Sequence, residues 1–184
     1  MPISILNGSA LQDGDLRSIA SILKEVFAHP VTIEAANLDL TCAYDSSRLQ
    51  SNSTALLAQI LEGGKDSSQK KIAIVDADLF IPVLTFVFGE AQLAGSAAIV
   101  STRRLSNQFY GLPPDPRLLL QRLEKEIVHE VGHTFGLYHC HYFECVMRSS
   151  TYVEEIDLKR VTPCAACAAL LVIGKSQVRS DRSD

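Results

Sequence analysis

The chain has 184 residues, of which 47% are hydrophobic and 21% are charged, and a formal net charge of −4. This length is enough for one domain with its own hydrophobic core. The acidic balance and the lack of a long basic run argue against nucleic acid as a partner. No stretch approaches the roughly 20 apolar residues of a membrane span, and the first residues lack the pattern of a secretory signal. We therefore expect a cytoplasmic monomer that does not bind membranes.

The spacing of apolar residues predicts three strands and two helices in the first 80 residues. The stretches are residues 2–6 (strand), 13–30 (helix), 31–36 (strand), 53–64 (helix) and 70–80 (strand). Pro30 ends the first helix, Ser53 or Thr54 is the expected cap of the second, and Gly63–Gly64 ends it. The polar residues 40–53 predict a loop.

Two more strands are predicted at residues 84–92 and 95–105. The link between them is short, so they should be antiparallel and lie near an edge of the sheet. The nearly continuous apolar run at residues 70–80 is typical of a central strand that is covered on both faces. Together these elements predict an α/β fold with a mixed, mostly parallel twisted sheet and helices.

The longest predicted helix covers residues 116–136. Asp115 can cap this helix and Pro116 can occupy its first position. Gly136 is a natural end, because glycine accepts the left-handed conformation. The histidine-rich part of the chain begins on this helix, which we therefore regard as the active-site helix.

Beyond this helix the sequence predicts little regular structure until residues 154–174. That stretch indicates a short helix, a break at Pro163 and a final apolar helix. We interpret the whole chain as one domain, with an α/β part at residues 1–136. A smaller C-terminal part follows at residues 137–175, and a polar tail at residues 176–184.

Four of the five histidines lie in the stretch HEVGHTFGLYHCHYFECVM. His129 and His133 are four residues apart on the predicted helix, so they share one face and can bind one ion. From its place beside His129, the Glu130 carboxylate can reach a water on that ion without being a ligand, as a general base must. His139 can join them only if the chain turns, and the glycine that ends the helix lies where the turn is needed. This pattern predicts a catalytic zinc site with one open position.

Four of the five cysteines form two close pairs, Cys140 with Cys145 and Cys164 with Cys167. Four thiolates in this pattern match a closed tetrahedral zinc site. A disulfide-bonded loop is the alternative, but it requires an oxidising compartment that nothing in the sequence indicates. Because successive side chains point apart, His139 and Cys140 can face different ions. We therefore predict two zinc ions per chain, one catalytic and one structural.

The remaining candidates have simpler interpretations. We interpret Cys42 as a small buried core residue rather than a catalytic or inhibitory thiol. His29 lies at a helix end, where a cation suits the helix dipole. His141 is either a polar loop residue or a contact to metal or substrate. Core packing is the expected use of the nearby tyrosines: Tyr138, Tyr142 and Tyr152.

The motif HEVGHTFGLYH, followed by CHYFECVM and CAAC, resembles the signature of the archaemetzincins, a family of metzincin zinc metallopeptidases. The resemblance implies a metzincin-like fold and hydrolysis of peptide bonds in peptide or protein substrates. It implies that His129, His133 and His139 bind the catalytic zinc and that Glu130 is the general base. It further implies that the structural zinc is held by the four paired cysteines: Cys140, Cys145, Cys164 and Cys167.

The resemblance also implies two roles outside the metal ligands. Met147 would form the Met-turn, an apolar floor beneath the zinc histidines. An edge strand, either residues 85–92 or residues 95–102, would pair with extended substrate. Aminopeptidase and endopeptidase modes both remain open. So do two alternative functions, a zinc-stabilised peptide-binding protein with weak or no hydrolysis and a hydrolase of non-peptide amides.

Overall fold

The structure is a computed structural model that describes residues 1–63 and 69–180, with side chains as far as residue 172. The strands are β1 (Ile3–Gly8), β2 (Val31–Ala35), β3 (Tyr44–Asp45), β4 (Gln50–Asn52), β5 (Lys70–Val75), β6 (Leu79–Phe80), β7 (Gly89–Ala91) and β8 (Ala97–Ser101). The helices are α1 (Asp13–Phe27), α2 (Ser53–Glu62), α3 (Pro116–Thr134), α4 (Val153–Asp157) and α5 (Ala165–Ser180), with a 3₁₀ turn at Asn107–Tyr110. The predicted helix end at Gly64 and the last four residues of the predicted tail lie outside the described residues. None of the described helices has the length and apolar character needed to cross a membrane.

Five strands form the main sheet in the order β2-β1-β5-β8-β7. The first four are parallel, whereas β7 runs antiparallel to β8 at the edge of the sheet. This confirms the predicted α/β fold with a mixed, mostly parallel sheet, and also the antiparallel pair at its edge. β5 lies at the centre, covered on both faces, which explains its continuous apolar sequence.

The two faces of the sheet bury two separate hydrophobic clusters. Ile72 and Ile74 face the cluster that includes α1 and α3, whereas Ala73 and Val75 face the cluster around α2. This alternation follows from the period of two along a strand. The position of α3 under β8 and β7 puts the predicted histidine helix beneath the edge of the sheet.

The prediction of one strand over residues 70–80 is wrong. β5 stops before Asp76, and β6 belongs to a second, three-stranded sheet in the order β3-β4-β6. Asp76 and Asp78 interrupt the apolar run, because their carboxylates need hydrogen-bond donors that the backbone pairing of a β-sheet does not supply. Asp76 accepts a hydrogen bond from the backbone N–H of Ala10 at 2.9 Å. The other two strands of this sheet, β3 and β4, lie within residues 40–53, for which the sequence predicts a loop.

The cap of α2 also differs from the sequence prediction. Asn52 caps the helix, accepting a hydrogen bond from the backbone N–H of Ala55 at 3.2 Å. The hydroxyls of Ser53 and Thr54 instead donate to the carboxylate of Glu90. All of these residue types can cap a helix. Because the Glu90 carboxylate of β7 binds the hydroxyls of Ser53 and Thr54, Asn52 is the residue that caps α2.

A buried lysine fixes the end of α3 to the turn between β7 and β8. The Lys70 ammonium donates to the carbonyls of Thr134, at 2.8 Å, and Gly95, at 2.6 Å. The backbone N–H of Ala94 donates to the carbonyl of His133 at 2.9 Å. A cation at the carboxyl end of a helix also suits the helix dipole. The histidines on this part of α3 therefore stand on a rigid support.

Candidate active site and metal centres

Three histidines converge at the carboxyl end of α3. Ligand atoms of His129, His133 and His139 all lie within 4.8 Å of one another. The helix ends at Thr134, and Gly136 adopts a φ of 87°, which turns the chain so that His139 returns to the helix face. The structure therefore brings together the three histidines that the sequence analysis selected, by the glycine turn that it required.

Backbone carbonyls orient two of the three rings. The Nδ1 atom of His129 lies 2.8 Å from the carbonyl oxygen of Val146, and that of His133 lies 2.7 Å from the carbonyl oxygen of Leu137. A carbonyl oxygen only accepts, so Nδ1 carries the proton and Nε2 presents its lone pair. The two Nε2 atoms lie 3.0 Å apart. Burial lowers the pKa of both rings and favours the neutral form that metal binding requires.

Glu130 lies buried between α3 and the edge strand. A Cβ atom at Gly89 would come within 2.8 Å of the Glu130 Cγ atom and 2.9 Å of its Oε1 atom, so only glycine in β7 leaves room for this carboxylate. Burial raises the pKa of Glu130 well above its usual value, and the carboxylates of Glu126 and Glu90 add to the shift. No local pattern in the sequence indicates the role of Gly89, because its contact with Glu130 spans about forty residues of chain.

Of the two strands considered for substrate pairing, β7 is the one at the sheet edge. β8 is hydrogen-bonded on both sides, to β5 and to β7. β7 pairs with β8 on one side only among the described strands of the main sheet. The open edge therefore lies beside the Glu130 carboxylate.

Met147 is fully buried and packs directly against α3. A Cβ atom at Gly132 would come within 2.5 Å of the Met147 Sδ atom. Glycine inside a helix costs about 1 kcal/mol relative to alanine. The glycine in HEVGH is therefore a feature of the sequence that indicates close packing against the helix at this position. The methionine lies under the helix turn that carries His129 and His133.

We expect the substitution Gly132→Ala to lower the free energy of unfolding by about 1–3 kcal/mol, because the added methyl group would displace Met147. Urea denaturation of the zinc-loaded protein measures the effect. Gly14→Ala in α1 is the matched control, since no atom of the described residues, apart from its chain neighbours and its own helix backbone, lies within 4 Å of a Cβ atom added there. That variant should be as stable as the parent or slightly more stable. Equal stability of the two variants would contradict the packing role of Gly132.

The four paired cysteines also meet at one point. Their sulfur atoms lie within 4.8 Å of one another, and the Sγ atoms of Cys140 and Cys164 are 3.8 Å apart, too far for a disulfide. Backbone N–H groups donate to sulfur, from Cys164 to Cys145 at 3.3 Å and from Tyr142 to Cys140 at 3.4 Å. The backbone N–H of Cys167 contributes most to lowering the pKa of Cys164 to about 7. This lowered pKa favours the thiolate of Cys164, the form that binds zinc, whereas burial raises the pKa of Cys145 and Cys167.

The histidine and cysteine clusters share one stretch of backbone. His139 precedes Cys140, whose N–H donates to the carbonyl of Met147 at 3.0 Å. The carbonyl of Val146, which orients His129, lies between Cys145 and that methionine. A metal bound by the cysteines would therefore also hold the backbone that positions two of the three histidines.

A buried ion pair supports this region from below. The Lys159 ammonium lies 3.4 Å from the Glu126 carboxylate, and the two side chains are 1% and 5% exposed. Burial raises the pKa of Glu126, and the charge of Lys159 opposes that rise. The partners are 33 residues apart, and no local pattern in the sequence indicates the pair.

Replacing Lys159 with methionine should lower the free energy of unfolding by about 3–5 kcal/mol near pH 8, because it leaves Glu126 buried without a partner. The pKa of Glu126 is raised in the folded state, so the unfolded state binds fewer protons and stability falls as pH rises above the unfolded value of 4.5. The difference in the free energy of unfolding between the Lys159→Met variant and the parent should therefore become smaller as the pH is lowered to about 5.5. Denaturation at both pH values tests this. The double variant Lys159→Met/Glu126→Gln should lose the pH dependence, and its persistence there would exclude Glu126 as the cause.

Several interpretations of single residues are corrected by the structure. Cys42 is exposed rather than buried, because its neighbour Ala43 fills the core at that point. Core packing of the nearby tyrosines is also wrong, since they are 72%, 54% and 67% exposed: Tyr138, Tyr142 and Tyr152. These tyrosines lie in the segments around and beyond the two clusters, which lack regular structure. His141 is exposed and belongs to neither cluster. His29 stacks on the Phe135 ring, with 5.4 Å between ring centroids.

Three convergent imidazoles beside a buried carboxylate are an arrangement typical of zinc hydrolases. Residues 19–172 match the model of Peptidase family M54. The archaemetzincin of Methanopyrus kandleri is 43% identical over 129 residues, 70% of each chain. The fold resembles the crystal structure of that protein, with a TM-score of 0.83, 33% identity and 96% of each chain covered. It also resembles the zinc-dependent peptidase from Methanocorpusculum labreanum, with a TM-score of 0.82, 29% identity, and 92% of this chain and 99% of that chain covered. The chain therefore belongs to peptidase family M54, the archaemetzincins.

Proposed function

We propose that this protein is a zinc-dependent peptidase that hydrolyses peptide bonds with Glu130 as its general base. The observation that carries the proposal is the convergence of three neutral imidazoles beside the buried carboxylate of Glu130. The relative from Methanocorpusculum labreanum is a zinc-dependent peptidase, which supports the same metal and reaction here.

The proposed ligands fall into two sets. His129, His133 and His139 would hold a catalytic zinc and leave one position open, and the four clustered cysteines would hold a structural zinc. His129 and His133 fit this role because their Nδ1 atoms are engaged by carbonyls, which leaves Nε2 to bind. Zinc bound there supplies Lewis acidity, which lowers the pKa of a water and polarises a scissile carbonyl.

Glu130 would move the proton. Its carboxylate is too deeply buried to exchange freely with solvent, and its pKa is raised, so it accepts a proton more readily than an exposed carboxylate does. We propose that it takes a proton from the attacking water and passes it to the leaving amine. Met147 would keep the floor of the site apolar and in contact with the helix that carries the first two histidines.

The edge strand β7 would bind the substrate. An extended peptide can add to a free sheet edge through backbone hydrogen bonds, whatever its side chains. The strand spans Gly89–Ala91, and the Glu130 carboxylate lies against its first residue. A peptide paired with β7 would therefore lie with its backbone beside the general base.

The direct test is digestion of a peptide library by the zinc-loaded protein, read by mass spectrometry, with zinc content measured on the same sample. We expect cleavage and two zinc ions per chain. The cleavage positions distinguish trimming of single amino-terminal residues from internal cleavage. Binding of peptides without cleavage by fully zinc-loaded protein would overturn the proposal in favour of a peptide-binding protein.

A further inference from the structure

A cavity lies at the opposite end of the sheet from the histidines. Its volume is about 620 Å³, and its walls include the residues after β5, those after β8 and the hairpin formed by β3 and β4. The histidine end of α3 instead contacts the turn that leads into the amino end of β8. The cavity shares no lining residue with the histidine or cysteine clusters. It is within the size range of about 300–1,000 Å³ that is usual for small-molecule sites.

The cavity lies outside the carboxyl ends of two neighbouring parallel strands, β5 and β8. Open α/β sheets often bind ligands outside the carboxyl ends of their strands. The cavity is lined by Asp76, Ala77 and Asp78, which follow the carboxyl end of β5.

Leu49, on the cavity wall, is in an unfavourable state for a folded protein. Its φ is 57°, and its side chain is 71% exposed. The Asp45 carboxylate accepts hydrogen bonds from Ser47 and Arg48 and so closes the turn just before it. The left-handed position after such a turn is normally taken by glycine or asparagine. Leu49 therefore offers an exposed apolar side chain at the cavity wall.

The cavity wall carries two arginines and two aspartates. Arg48 and Arg103 line it, and neither forms an ion pair with a carboxylate in the described part of the chain. The two carboxylates of the wall already have partners. Asp78 pairs with Arg104 at 2.5 Å, and Asp76 accepts hydrogen bonds from a backbone N–H and from a threonine hydroxyl. The Arg48 guanidinium donates to the carbonyls of Leu84 and Thr85 and interacts with the Asp45 carboxylate, so Arg103 is the guanidinium of the wall that an anionic group could bind.

The rest of the wall is apolar and partly aromatic. Tyr44 is 51% exposed, and Phe109 lies beneath the Arg103 guanidinium, with 5.7 Å between Cζ and the ring centroid. Leu40 and Leu49 complete this surface. The combination of an apolar, partly aromatic wall with an exposed arginine is suited to a ligand that has an aromatic body and one negative charge.

We propose that this cavity binds a small aromatic carboxylate, with its ring against Leu49, Tyr44 and Phe109 and its carboxylate on Arg103. The guanidinium plane of arginine can bind a carboxylate through two parallel hydrogen bonds. This site is separate from the proposed peptidase centre, and the inference does not depend on peptidase activity.

The test is an NMR titration of the zinc-loaded full chain, with backbone amide signals assigned and phenylacetate as the probe. We expect saturable shifts in residues 40–51, 76–78 and 101–109. The neutral analogue phenylacetamide should bind at least about tenfold more weakly, since it lacks the charge that Arg103 recognises. Shifts confined to the surroundings of His129, His133 and His139 would show a carboxylate on the zinc instead and would overturn the proposal, as would the absence of saturable shifts.

Two substitutions separate binding from folding. Arg103→Gln should weaken phenylacetate binding about tenfold, whereas Arg17→Gln, which removes an exposed positive charge from α1, should leave it unchanged. Leu49→Gly should weaken binding while the melting temperature stays equal or rises, because glycine accepts the left-handed conformation without strain. Unchanged affinity in either cavity variant would overturn the proposal.

Discussion

Replacing Glu130 with glutamine is expected to lower kcat for peptide hydrolysis about 10³-fold while the protein keeps its full zinc content. The amide has the shape of the carboxylate but cannot accept a proton from water. The pocket between α3 and β7 buries this side chain, so solvent cannot easily replace it as a base. The stability of the variant should be equal or higher, because the substitution removes a group whose charged form burial disfavours.

The measurement combines initial rates on a peptide chosen from the library digest with zinc analysis of the same sample. Glu124→Gln is the matched control, since Glu124 lies on the same helix and accepts a hydrogen bond from Ser18 at 2.7 Å. That variant should keep its activity. Full activity of the Glu130→Gln variant would exclude Glu130 as the general base, and loss of zinc from it would leave a role in metal binding instead.

Replacing Cys164 with serine is expected to remove the structural zinc and to lower the free energy of unfolding by about 5 kcal/mol or more. Zinc held by four thiolates contributes its binding free energy to folding, and serine is a poor replacement for a thiolate. The effect should reach the histidines, because Cys140, Cys145 and the carbonyl that orients His129 belong to one short stretch. We therefore expect weaker zinc binding at the histidine site as well.

Zinc analysis after dialysis against a weak chelator and thermal unfolding of the same samples test this prediction. Cys42→Ser is the control, since Cys42 is exposed and lies outside the cluster. It should retain two zinc ions and the parent melting temperature. If the Cys164→Ser variant retained both zinc ions and its melting temperature, the cysteine cluster would have no role in metal binding.

Local periodicity accounts for what could be predicted of the fold and of the candidate site. The spacing of His129 and His133 places them on one helical face in any context, and a glycine three residues later permits the turn that returns His139. The continuous apolar run of β5 indicates a central strand, and the short link between β7 and β8 requires an antiparallel pair. Each of these signals lies within about ten residues of chain.

Some features of the fold depend on tertiary packing, so local patterns in the sequence do not indicate them. The boundary between β5 and β6 depends on donors that Asp76 and Asp78 find elsewhere in the fold. Exposure of Cys42 depends on the packing of the turn before β3, in which Ala43 rather than Cys42 faces the core. The short strands β3, β4 and β6 carry too few residues for a period to show.

By itself, the sequence determined the family, the α/β class with its mostly parallel sheet, and the set of histidines, cysteines and glutamate that the proposed chemistry needs. These properties depend on residue identity and short spacing. Only the tertiary structure decided that β7 forms the open edge, that Gly89 gives Glu130 its place, and that Lys159 pairs with Glu126. Those relations join residues that are far apart in the chain, and they come into contact only when the sheet and α3 pack together.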